Sequence, residues 1–167
     1  MTKTGNRILA AVVAVAIAFA AFAFWNARPA APTVTFVSLQ GEKITTASLR
    51  GKVVLVNFWA TDCVTCVKEM PEIVATHNKY RERGFETIAV AMRHDPPNYV
   101  LSYTEKNKLP FKVALDPMGE LAKAFGEVKL TPTTFVIDKQ GNVVTRILGE
   151  PDFAKLHALL EQKLGET

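Results

Sequence analysis

Apolar and polar residues follow several distinct rhythms along this chain, and each rhythm predicts a different kind of element. From Ile8 to Trp25 the residues are apolar without interruption. No polar position marks a solvent-facing side, and the helical rise carries this run nearly across a ~30 Å hydrocarbon core. From Thr33 to Leu39 the pattern alternates as in a strand, and Gln40-Gly41 offers a turn before Lys43–Thr46, so a leading hairpin is expected. Val53–Phe58 (VVLVNF) is continuously apolar, as a central strand buried on both faces must be, and Thr87–Met92 (TIAVAM) repeats that pattern. Between them a helix is expected from Cys63 to Arg83, interrupted and kinked at Pro71 and stopped by Gly84.

Arg93–Pro97 reads as a loop, with His94-Asp95 a solvated pair, and Asn98–Lys108 as an amphipathic helix. Phe111–Leu115 suits an edge strand, and Gly119–Phe125 a short helix after the Asp116-Pro117 turn. Thr133–Asp138 and Val143–Leu148 form a hairpin across Lys139–Asn142, and Asp152 can cap a last helix that ends at Leu164. The order is a hairpin, then βαβα, a short β–α insertion, ββ and α. Strands alternating with helices require a parallel core, to which the closing hairpin adds antiparallel strands. The expected fold is therefore α/β, a mixed central sheet flanked by helices and preceded by one transmembrane helix.

Charge sharpens the reading of the N-terminus. The chain carries a formal charge of +4, yet residues 1–32 contain Lys3, Arg7 and Arg28 and no acid. Without them 17 basic residues face 16 acidic ones, so the globular part has no electrostatic reason to bind nucleic acid. The cations ahead of the apolar run place the N-terminus in the cytoplasm and the remainder outside. Residues 1–7 are thus the expected cytoplasmic end, 8–25 an anchor in the bacterial inner membrane, 26–32 a stiff linker and 33–167 the domain on the extracytoplasmic, periplasmic side. A cleavable signal peptide competes with the anchor, since Ala21-Phe22-Ala23 resembles a cleavage site. Phe24 and Trp25 extend the run past that site and favour the anchor.

The chain has two cysteines, Cys63 and Cys66, spaced C-x-x-C. Zinc would need further ligands, and His77, His94 and His157 are scattered singly. Haem attachment would need His after the second cysteine, where Val67 stands. A purely structural bridge across so short a loop removes little unfolded-state entropy. A redox-active dithiol remains, with neither metal nor separate cofactor. Cys63 follows a buried strand and opens a helix, where free N–H groups and the helix dipole favour a thiolate. Cys63 is the expected nucleophile and Cys66, one turn on, the resolving thiol.

The stretch from Asn57 to Pro71 (NFWATDCVTCVKEMP) resembles the active-site segment of the thioredoxin superfamily, closest to its TlpA/ResA-like branch of membrane-anchored bacterial thiol–disulfide oxidoreductases. Leu115-Asp116-Pro117 and Leu130–Asp138 (LTPTTFVID) extend the likeness, which runs from about Val34 to Leu164. The resemblance implies a thioredoxin-like fold in which Pro132 is a cis-proline facing the dithiol, leaving the Thr131 backbone free to pair with an extended substrate. It implies that Glu69, three residues after Cys66, is the acid that modulates the thiols, since Asn57 stands where thioredoxins proper carry a buried Asp. It implies protein thiol and disulfide substrates such as apocytochrome c, in cytochrome c maturation, and a transmembrane thiol electron donor. The chain is expected to work as a monomer. Trp59, just after the central strand, either shields the dithiol at the substrate face or packs in the core.

Two departures bear on the direction of electron flow. The branch usually has Trp before the first cysteine and often Pro before the second, where this chain has Asp62 and Thr65. A carboxylate beside Cys63 disfavours the thiolate, which favours a reductase over a strong oxidant. Thr65 is either a hydrogen-bond donor to sulfur or a capping hydroxyl. Two other functions compete. A thiol-dependent peroxidase typically has Thr three residues ahead of its cysteine, where Ala60 stands here. A non-enzymatic copper-handling module would use two soft thiolates, but no Met or His in the Cys63 segment up to Glu69 completes such a site.

Overall fold

The computed structural model describes residues 12–19 and 29–166. Residues 12–19 form a helix, α1, whose apolar side chains are exposed, Val15 by 69% and Phe19 by 73%. No helix among the described residues is long and apolar enough to cross a membrane. The rest of the expected anchor and the cytoplasmic end lie outside the described residues.

The run Val53–Trp59 becomes β3, buried at every position. It lies at the centre of a five-stranded sheet of order β5-β4-β3-β6-β7, beside β4 (Phe85–Ala91), β5 (Lys112–Leu115), β6 (Thr133–Ile137) and β7 (Val143–Leu148). β3, β4 and β5 are mutually parallel, while β6 and β7 add antiparallel strands. The period of two in β3 divides the core. Val53, Leu55 and Trp59 face α2 (Val64–Tyr80), α3 (Pro97–Lys106) and α5 (Phe153–Gly165), through Met70, Ile73, Val100 and Leu160 among others. Val54, Val56 and Phe58 face the opposite layer, built from the β1–β2 hairpin (Thr35–Val37 and Lys43–Thr45) and α4 (Glu120–Ala124). Stacked edges of Phe58, Phe125 and Phe135 fill that second layer.

The expected hairpins and strands are present, with boundaries shifted by a residue or two. α2 runs unbroken through Pro71, where an interruption was expected. Met70 and Ile73, both almost fully buried, anchor the two halves of the helix to the sheet across the missing N–H. A 3₁₀ turn, Arg81–Arg83, then leads to Gly84 at φ 86°, a left-handed stop suited to glycine. Asp116 is buried and its carboxylate accepts the N–H groups of Leu121 and Ala122 at 3.1 and 2.8 Å, fixing the short α4. Asp152 caps α5 as expected, accepting from Lys155 N at 3.2 Å.

Candidate active site

Trp59 pairs with Ala91, Ala91 with Leu115, and Phe58 with Thr133. The C-terminal ends of β3, β4 and β5 and the start of β6 therefore meet at one end of the sheet, and the two cysteines sit there. Cys63 is the N-cap residue of α2, and its Sγ accepts the Cys66 N–H at 3.2 Å. The two cysteines are joined in a disulfide, with Cα atoms 5.2 Å apart. Cys63 is half-buried whereas Cys66 has no exposed surface, so only the first sulfur is open to attack from outside. The same N–H that meets Cys63 Sγ in the disulfide is positioned to stabilise a thiolate after reduction.

Glu69 lies one turn beyond Cys66 and is wholly buried. Asn57 Nδ2 donates to Glu69 Oε1 and to Thr134 Oγ1, each at 3.0 Å. Glu69 Oε2 and Asn57 Oδ1 are buried without a hydrogen-bond partner among the described residues. Burial pushes the Glu69 carboxyl up from its ordinary value near 4.5 to about 7; the Asn57 hydrogen bond opposes the rise and the charge of Glu150 adds to it. Glu150 itself pairs with Lys68 at 2.9 Å on the surface above. The result is a carboxyl group that changes protonation near neutral pH, held on the helix that carries the dithiol.

The Thr131–Pro132 peptide bond is cis, and Pro132 is buried while Thr131 is half-exposed. Neither the N–H nor the C=O of Thr131 is hydrogen-bonded within the described fold, although its neighbours are tied down by Gly149 N to Pro132 O at 2.8 Å and Thr133 Oγ1 to Leu130 O at 2.7 Å. Trp59 is wholly buried, packed in the cluster that holds Cys66, with its ring 5.2 Å from that of Tyr103. Its indole supports the dithiol from below and offers no surface to a partner.

Asp62 turns outward, its side chain 74% exposed, with Oδ1 3.5 Å from His94 Nε2. Solvent screens a charge so placed, so its opposition to a Cys63 thiolate is weaker than the sequence suggested. Thr65 is exposed and neither donates to sulfur nor caps the helix. Asp95, expected as half of a solvated loop pair, is instead buried. Its carboxylate grips the turn before Cys63, accepting Thr61 N and Thr61 Oγ1, both at 2.6 Å. The contact spans 34 residues, which no local pattern announces. Asp95→Ala is expected to cost about 3 kcal/mol by stranding two donors, a loss readable as a lower urea midpoint.

The site is thus a buried strand delivering a C-x-x-C disulfide to a helix N-terminus, at the end of the sheet where the X–cis-Pro loop enters β6. The profile of the Redoxin family matches residues 26–160. This chain belongs to the Redoxin family, in its ResA-like branch. The thiol–disulfide oxidoreductase ResA of Bacillus thuringiensis subsp. konkukian is 38% identical over 132 residues, covering 79% of this chain and 75% of that protein. ResA of Halalkalibacterium halodurans is 35% identical over 71% of this chain and 67% of its own length. Among solved structures, a thiol:disulfide interchange protein of the thioredoxin family from Chlorobium tepidum superposes with a TM-score of 0.76 at 31% identity, covering 83% of this chain and 98% of that one. This redoxin is a thiol–disulfide oxidoreductase with a thioredoxin-like fold.

Proposed function

We propose that this redoxin is a reductase of protein disulfides, with Cys63 as nucleophile, Cys66 as resolving thiol and Glu69 as the group that manages the Cys66 proton. The observation that carries the reading is the wholly buried Glu69 one turn beyond the wholly buried Cys66. An acid so placed disfavours a second negative charge on the thiols, and a couple whose reduced form is not stabilised as thiolate has a low potential.

In the reaction, the Cys63 thiolate attacks one sulfur of the substrate disulfide and the other sulfur leaves as a thiolate that takes up a proton. Cys66, losing its proton to the Glu69 carboxylate, then attacks Cys63 Sγ. The second substrate thiol departs and the Cys63–Cys66 disulfide forms. Two electrons pass from protein to substrate, one proton comes from solvent and the other is returned by Glu69 to the second departing thiolate, and the disulfide form described above is the spent state. The unbonded Thr131 backbone offers one donor and one acceptor to an extended substrate strand.

The proposed setting is the outer side of the bacterial inner membrane, the domain tethered by residues 8–25. The solvent-facing apolar side chains of α1, which no part of the domain covers, support that placement. Reducing equivalents would come from a transmembrane thiol carrier, and the disulfide of apocytochrome c, reduced to thiols in cytochrome c maturation, is the proposed substrate. The direction is tested by equilibrating the full-length protein with glutathione and dithiothreitol buffers. A potential of about −270 mV or lower is expected for a reductase, and one near −120 mV would make the protein a disulfide donor.

A further inference from the structure

Beside the dithiol lies a cleft of about 560 Å³ between the segment after β4 and the α4–β6 region. Its floor is apolar, formed by Met92, Ala122 and Val128, all part of the second core layer. Its rim is cationic. Arg93, Lys123 and Lys129 all line it and are all exposed, against Glu127 as the one lining carboxylate. None of the ion pairs among the described residues involves any of these three cations. The three cations therefore border an apolar floor without an ion-pair partner of their own.

Both walls of the cleft run directly into the catalytic elements. On one side His94 pairs with Asp62, the residue before Cys63. On the other, Lys129 stands two residues before Thr131, whose backbone is unbonded, and three before Pro132. A polypeptide paired with the Thr131 backbone and presenting its sulfur to Cys63 therefore lies next to both walls. We propose that the cleft docks an acidic segment flanking the substrate's disulfide, with an apolar side chain on the Met92–Val128 floor and carboxylates against Arg93, Lys123 and Lys129. This rests on the thiol–disulfide reading of the site and adds a substrate preference to it. The concave apolar floor favours a side chain over a flat anionic membrane surface, and the route to Cys63 favours a reacting polypeptide over a free anion.

The test mixes pre-reduced full-length protein with two disulfide peptides of equal length, one flanked by Glu and Leu, the other by Lys and Leu, with oxidised glutathione as a small comparison disulfide. Exposed charge pairs each change a rate by a factor of a few, so the acidic peptide should react about tenfold faster than the basic one at low salt. That ratio should fall toward one in 0.5 M salt, and should fall or invert in the K123E/K129E variant, whose fold is checked by its unfolding midpoint. Equal rates for the two peptides, with glutathione still turned over, would overturn the cleft while leaving the oxidoreductase reading intact. So would a preference that survives K123E/K129E, or loss of anionic-vesicle binding in that variant with no peptide preference, which would assign the cations to a membrane surface. No reaction with any of the disulfides would remove the underlying reading and the cleft with it.

Discussion

Cys66→Ser is expected to accumulate a stable mixed disulfide with substrate through Cys63, whereas Cys63→Ser accumulates none. The reason is burial. Cys63 is the half-exposed N-cap residue with a backbone N–H aimed at its sulfur, and Cys66 has no exposed surface. An incoming disulfide therefore meets Cys63, and Cys66 reaches only a sulfur already bound to Cys63. Turnover should fall at least about a thousandfold in both variants, as is usual when a nucleophile is removed. Non-reducing electrophoresis and mass spectrometry of the trapped adduct check the order. An adduct through Cys66 in Cys63→Ser at a comparable rate would reverse the assignment.

The second large effect is expected at Glu69, in both stability and rate. Its carboxyl has a value near 4.5 when exposed and about 7 in the fold, so the folded state holds a proton that the unfolded state releases between those values. The folded pKa is raised, and its contribution is complete below pH 4.5 and lost as pH rises through 7. Linkage puts that loss at roughly 3 kcal/mol. Glu69→Gln keeps an acceptor for Asn57 and carries no charge, so its stability relative to the wild type should grow by that order between pH 4.5 and 9. Burial lowers His77 and His157, which makes the fold lose stability as pH falls below about 6.5, but these residues are present in both proteins and cancel in the difference. Urea unfolding of the pair across this range is the measurement.

The rate follows the same group in the opposite sense. Cys66 needs the ionised carboxylate as its base, so resolution of the mixed disulfide should rise through pH 7 in the wild type. In Glu69→Gln that inflection should vanish and the step should slow about a hundredfold. A profile unchanged by the substitution would leave Glu69 as a structural residue. Asn57→Leu separates the two roles, because it removes the hydrogen bond that holds the carboxyl down. It should move the inflection upward without abolishing it.

The strand pattern of this protein was legible because burial on both faces demands an uninterrupted apolar run. Val53–Phe58 and Thr87–Met92 announced the two central strands in that way, and Asp152 announced the start of α5. Pro71 misled because the absent N–H is a local cost, whereas Met70 and Ile73 hold the helix through tertiary packing. Asp95 misled for a related reason. Its sequence neighbours Arg93, His94 and Pro96 suggest a solvated loop, and only the fold of β3 against β4 brings Thr61 within 2.6 Å.

By itself, the sequence determined the reaction. Two cysteines at C-x-x-C spacing, at a strand-to-helix junction and followed by a Thr-Pro before a later strand, define a dithiol chemistry through local geometry alone. Tertiary structure decided how that chemistry is tuned. It joined Asn57 to Glu69 and to Thr134, 77 residues away in the chain, and set the carboxyl between protonation states. It also gathered Arg93, Lys123 and Lys129 around one cleft. Hydrogen bonds and desolvation act over a few ångströms of space, and the chain distances they bridge leave no periodic trace in the order of its residues.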